Sequence, residues 1–199
     1  SVSYFLYRRL MESYAYFPSV VYRDEKPKLI KSFGGSFLDN TRDPGVPFWQ
    51  SESLVGRSEF DGFSTYILEE ANKILFSQGY SCEKYDLYLS SLWAQEVIRG
   101  GATDVHHHKN SQLSGWIFLE VPENGAYPIY YDSRILKGMV ELDFIQGNEI
   151  VNATGAIHFN NVIEGTVLIS NSWLNHQLVS GATDKPTRCL HFTVSHKEK

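Results

Sequence analysis

The sequence predicts a mainly β fold with one or more helices packed on its outside. After Gly79 the chain breaks into short runs rich in β-branched and aromatic residues, punctuated by glycine, proline and asparagine at near-regular spacing. A single stretch ahead of them carries clear helical periodicity. With 199 residues, 42% of them hydrophobic, the chain suits one domain with a sizeable core, expected to span residues 1–199.

The elements follow in order. The opening "SVSYFLYRRLMESYAYF" is apolar in places but broken by Arg8, Arg9 and Glu12, so it reads neither as a signal peptide nor as a membrane span. From there to Pro47, turn residues at Pro18, Pro27, Gly34, Gly35, Pro44 and Gly45 suggest short strands flanking the core. The helix is "SEFDGFSTYILEEANKILFSQG", with Ser58 as N-cap and Asp61 three residues on. Phe63, Ile67, Ala71 and Ile74 make its apolar stripe, and Gly79 closes it. Flanking strands and helix thus fill about residues 1–80, and the core about 85–196. Strands are expected in "YDLYLSSLWAQEVI", "LSGWIFLEV", "YPIYYD", "GNEIVNA", "AIHFNN", "GTVLISNS" and "RCLHFTVS". This pattern alone leaves sandwich, barrel and jelly roll open.

Composition excludes several classes. A formal charge of −5 with no basic run argues against a dedicated nucleic-acid surface, and no stretch is apolar enough to cross a bilayer. Cys82 and Cys189 stand far apart, which fits reduced thiols and a cytoplasmic location better than a disulfide framework.

The residues able to carry chemistry are concentrated after Asp104. Three histidines stand in a row at 106–108, and an extended chain alternates its side chains. His106 and His108 therefore share a face while His107 points away. His176, where "VLISNSWLNH" runs into an Asn-rich corner, is the candidate third ligand. Arg188 is the only arginine of the last strand and alternates with Leu190, Phe192 and Val194. That face is expected to look inward, where a cation needs an anionic partner such as a bound carboxylate. Tyr130, Tyr131, Trp116 and Trp173 read as packing or pocket walls, and His158, His191 and His196 as structural.

The order Trp93, Gly100, His106-x-His108, "LSGWIFLEVP", "YYDSR", "SWLNH" and Arg188 resembles the 2-oxoglutarate- and Fe(II)-dependent oxygenases of bacteria and marine phages, in an H-x-H variant. The likeness runs from Pro47 to Val194, about three quarters of the chain. It implies a double-stranded β-helix, the jelly roll of these oxygenases, with flanking α-helices around one non-haem iron. His106 matches the first ligand and His176 the last. His108 stands where most 2-oxoglutarate oxygenases carry an aspartate, which makes Asp132 and Asp104 the rival carboxylates. Arg188 would grip the far carboxylate of 2-oxoglutarate as a bidentate pair. The hydroxyl common two residues later is replaced by Leu190, and a common tyrosine by Phe118, with Ser114 one substitute.

The sequence therefore points to an Fe(II)- and 2-oxoglutarate-dependent dioxygenase, a hydroxylase acting on an unidentified primary substrate, in host cytoplasm if phage-encoded. Its rivals are a catalytically inactive metal- or ligand-binding jelly roll and a cupin-like three-histidine metalloenzyme that does not use 2-oxoglutarate. A homodimer is left open.

Overall fold

The computed structural model describes residues 18–33, 38, 45–134 and 155–199. The opening stretch 1–17, the punctuation at Gly34, Gly35 and Pro44, and the expected strand "GNEIVNA" at 147–153 lie outside the described residues. In chain order the elements are β1 (Val21–Glu25), a one-turn α1 (Pro27–Ile30), β2 (Phe48–Gln50) and α2 (Asp61–Ser77), followed by β3 (Tyr85–Val97), β4 (Leu113–Glu120) and β5 (Tyr127–Tyr131). After these come β6 (Ala156–His158), β7 (Thr166–Asn171), β8 (His176–Val179) and β9 (Thr187–Glu198).

Among the described residues, the strands form two antiparallel sheets, one of six in the order β1-β7-β4-β9-β3-β2 and one of three in the order β6-β5-β8. Isolated bridges from Ala102 to Val179 and from His106 to His176 add the 102–106 segment beside β8. The two sheets face each other as a jelly roll. Among the described residues, β1 and β2 do more than flank this core, since they are the edge strands of the large sheet. Both edges are short, and β1 carries Arg23, Asp24 and Glu25, features that discourage pairing with another chain.

The large sheet is buried on both faces, which explains why β4 and β9 read as continuous apolar runs rather than alternating ones. On one face Leu92, Ala94, Ile117, Leu190, Phe192 and Val194 pack against Phe63, Ile67, Ala71 and Ile74 of α2. The Phe63 and Phe192 rings meet edge-on at 5.6 Å. On the other face Val97, Trp116, Phe118, Leu168 and Cys189 pack against Tyr130, Leu174 and Leu178 of the small sheet side.

The helix departs from expectation at its start. A 3-10 turn over Ser58–Phe60 precedes it, so the N-cap is Phe60, with no side-chain cap, rather than Ser58. The tighter turn delivers the Phe60 ring into the core, and its burial replaces a capping bond. The end is as predicted. Gly79 sits at φ +93°, and the N–H groups of Tyr80 and Gly79 donate to the carbonyls of Leu75 and Phe76, the paired bonds of a Schellman stop.

Gly115 fixes the spacing of the sheet beneath the site. A Cβ there would run into the Leu168 carbonyl oxygen and the Phe192 ring, so only glycine lets β7 lie this close to β4. Gly115→Ala is expected to lower the free energy of unfolding by about 3 kcal/mol, the upper end for overpacking. Urea denaturation measures it, and an unchanged midpoint would show that the close approach is not required.

Candidate metal centre

His106 and His176 lie directly opposite each other and exchange both backbone hydrogen bonds, His106 N–H to His176 O at 3.0 Å and the reverse at 2.9 Å. Residues so paired project from the same face of a sheet. His176 opens β8 instead of closing the apolar strand before it. That strand ends at Asn171, and a turn, with Leu174 N–H on the Asn171 carbonyl, reverses the chain into His176. His108 is fixed by its own N–H donating to the Ser172 carbonyl at 2.9 Å. The three adjacent histidines alternate as their spacing predicts: His106 and His108 turn inward, while His107 is exposed and donates from Nδ1 to Asn175 Oδ1 at 3.2 Å.

One ring nitrogen from each of His106, His108 and His176 falls within 4.8 Å of the others. Two of the rings have fixed tautomers. A carbonyl only accepts, so His106 donates from Nδ1 to Asp104 O (2.7 Å) and His176 from Nδ1 to Leu174 O (2.8 Å). Each Nε2 is left as a lone pair, the arrangement that metal-binding histidines use. The Nε2 atoms of His108 and His176 are 3.1 Å apart. Adjacent donors on a metal with bonds of about 2.1 Å stand about 3 Å apart, so this pair is spaced as neighbouring ligands of one metal ion would be. Burial, reinforced by the neighbouring imidazoles, holds His108 down at about 4 and His176 at about 3, which keeps both neutral and able to ligate at neutral pH.

The other expected residues are placed elsewhere. Asp132 grips the guanidinium of Arg134, at 2.7 and 2.9 Å, and Asp104 is exposed; neither belongs to the histidine group. Arg188 is not brought to the site. Its partners across the sheet are Glu96 and Glu120, and it ion-pairs with them at 3.0 and 2.8 Å, on the face that carries Leu190 and Phe192 toward α2. The phase of β9 is therefore opposite to the expected one, and the inward residues are Cys189, His191 and Thr193. Leu190, where a hydroxyl was expected, shares that outer face, so its lack of a hydroxyl does not touch the interior. Ser114 does face inward, opposite Thr193 and Ser170, and is fully buried.

Sequence reasoning missed the wall behind the histidines. His191 stacks on Trp93 with ring centroids 4.9 Å apart and planes at 16°, and lies 4.8 Å from the His108 ring. Trp116 stands edge-on to both His176 (5.0 Å) and His191 (4.9 Å), its Nε1–H donating to Gln95 Oε1 at 3.1 Å. Among the described residues, the buried Trp93 Nε1, Ser114 Oγ, Ser172 Oγ and both ring nitrogens of His191 have no hydrogen-bond partner. Each such group costs about 1–3 kcal/mol to leave unmade, so these atoms call for water or another polar partner. The signal was available in the alternation of "RCLHFTV", but with both faces apolar nothing in the sequence fixed its phase.

A jelly roll holding a partly buried three-imidazole cluster is an arrangement compatible with a non-haem metal centre. The sequence model of the family described as "Putative 2OG-Fe(II) oxygenase" matches residues 91–193, more than half of the chain. The chain belongs to that family, whose members are Fe(II)- and 2-oxoglutarate-dependent oxygenases. No curated protein matches the sequence. Among solved structures, a prolyl-4-hydroxylase from Pseudomonas putida superposes with a TM-score of 0.58 at 7% identity, covering 90% of this chain and 94% of that one. HygX from Streptomyces hygroscopicus, with nickel and 2-oxoglutarate bound, gives 0.53 at 13% identity over 89% and 83%. The epimerase SnoN in complex with Fe3+, alpha ketoglutarate and nogalamycin RO gives 0.56 at 10% identity over 89% and 79%. At these identities the likeness is one of fold.

Two predictions follow from the geometry. Unfolded histidines take up a proton below about pH 6.5, whereas the folded His108 and His176 resist until about 4 and about 3. The unfolded state then binds more protons, so stability of the metal-free protein, complete above pH 6.5, falls as pH drops toward 4. Urea denaturation across that range should show a shallower fall in His176→Gln. Arg188→Met leaves the buried Glu96 carboxylate without its guanidinium and is expected to destabilise the fold by about 2 kcal/mol, discounted for the partial exposure of the pair. Metal stoichiometry in that variant should match wild type; a loss would tie Arg188 to the interior after all.

Proposed function

We propose that the protein is a 2-oxoglutarate-dependent Fe(II) hydroxylase in which His106, His108 and His176 hold the iron and Ser114 contacts the co-substrate. The observation that supports this most is the convergence of the three ring nitrogens, two with their lone pairs already aimed by backbone carbonyls. The bound iron, with 2-oxoglutarate and oxygen, supplies oxidising chemistry: the oxo acid becomes succinate and carbon dioxide, one oxygen atom goes to succinate and the other to a substrate C–H bond.

The protein's own residues prepare the ground. Three neutral imidazoles leave the full charge of the metal to attract a dianionic co-substrate, where a carboxylate ligand would cancel part of it. The carbonyls of Asp104 and Leu174 keep two rings from rotating. Trp116 and Trp93 close the interior side against water, and Ser114 and Ser170 offer hydroxyl donors from adjacent strands to a carboxylate. Neighbours of this fold bind molecules as different as nogalamycin RO and hygromycin B, a difference that falls to the pocket loops rather than the core.

The test is metal retention coupled to co-substrate turnover. His106→Ala and His176→Ala are each expected to lose iron at neutral pH while remaining folded, and His107→Ala to keep it. Loaded wild type should form succinate from 2-oxoglutarate only in the presence of oxygen. Full iron occupancy in both His106→Ala and His176→Ala would overturn the ligand set. Occupied iron with no succinate at millimolar 2-oxoglutarate, substrate-free or with a panel of substrates, would favour a binding jelly roll.

A further inference from the structure

We propose that His191 is a co-substrate-binding residue that donates an imidazole N–H to a carboxylate oxygen of 2-oxoglutarate. This rests on the reading of the metal site given above. His191 is 1% exposed, and neither of its ring nitrogens has a hydrogen-bond partner among the described residues. The ring has no freedom to find one: Trp93 stacks on its face and Trp116 stands against it edge-on, both at 4.9 Å. A phenylalanine would fill the same slot without burying two polar atoms, so packing alone gives no reason for imidazole here.

Position supplies the reason. The His191 ring is 4.8 Å from that of His108 and 6.0 Å from that of His176, so it borders the space next to the metal. Along β9 the next inward residue is Thr193, which faces Ser114, and Ser114 faces Ser170 across the following strand pair. The unpartnered Ser114 hydroxyl and His191 imidazole thus belong, with the Ser170 hydroxyl, to one face of three adjacent strands. Arg188, the cation of the same strand, is turned to the opposite face and engaged by two glutamates. A carboxylate entering this interior would be met by neutral donors, and hydrogen bonds to an ionised acceptor are about twice as strong as neutral ones. An imidazole already held rigid loses little entropy in making such a bond.

The experiment uses the full chain loaded with Mn(II), titrated with 2-oxoglutarate to millimolar concentration and followed by calorimetry and thermal unfolding. Wild type is expected to bind and to rise in Tm. His191→Phe keeps the ring and its stack on Trp93, so it should retain Mn(II) and be at least as heat-stable as wild type without co-substrate. Its Kd for 2-oxoglutarate should rise about tenfold or more, the loss of one hydrogen bond to a charged group, and His191→Gln, which keeps a donor, should recover part of that affinity. Equal Kd values for wild type and His191→Phe would overturn the proposal and leave the metal-site reading standing. Loss of Mn(II) from His191→Phe would also overturn it, by making His191 part of the metal support. Failure of Mn(II)-loaded wild type to bind 2-oxoglutarate would reject the co-substrate reading itself. Should His191→Phe not fold, His191→Met carries the same expectation.

Discussion

The site depends on one backbone pairing. His106 and His176 are 70 residues apart in sequence, and neither lies in the large sheet; what joins them is a reciprocal pair of hydrogen bonds between an otherwise irregular segment and the first residue of β8. Because the two bonds set the strands at a fixed separation, both imidazoles leave the backbone from neighbouring points on the same face. Everything else supports that contact. The turn after β7 is short enough to send the chain straight from the large sheet into β8, and the Ser172 carbonyl in that turn anchors His108. Gly115 holds β4 against β7, which fixes where the turn begins.

Much of this was legible in the sequence, and the parts that were not have a common cause. The α2 stripe and its glycine stop, the near-correct bounds of β3 and β4, the existence of β9, and the alternation within His106–His108 all rest on periodicity or backbone chemistry local to a few residues. Local patterns of that kind survive folding unless tertiary packing overrides them. The phase of β9 does not. A strand packed on α2 on one side and on the small sheet on the other is apolar on both, so pattern did not contradict the expectation that Arg188 faces inward and His191 is structural. Only the register against β3 and β4 separates them: Arg188 pairs with Glu96 and Glu120, and His191 with Trp93 and Trp116.

The same register explains why an arginine survives beside a core. Arg188 sits at the start of β9, partly exposed and with two carboxylates at hand. The histidine three residues later is one pleat deeper and on the other side, among aromatic rings. A single strand therefore carries a charge-paired exterior end and a polar interior centre. Residue type alone could not reveal this division, since both groups are basic.

The cluster of three imidazoles contains no carboxylate among the described residues, and that has a consequence for metal choice. An all-nitrogen set of neutral donors ranks divalent ions by the general order in which ferrous iron falls below nickel, copper and zinc. Such a set has no hard anionic oxygen to offset the preference. At equal free concentrations it would fill with zinc or copper before iron. Which ion occupies it in a cell would then be governed by the supply of each metal during folding, and protein purified from a zinc-rich medium would carry the wrong ion with the fold intact.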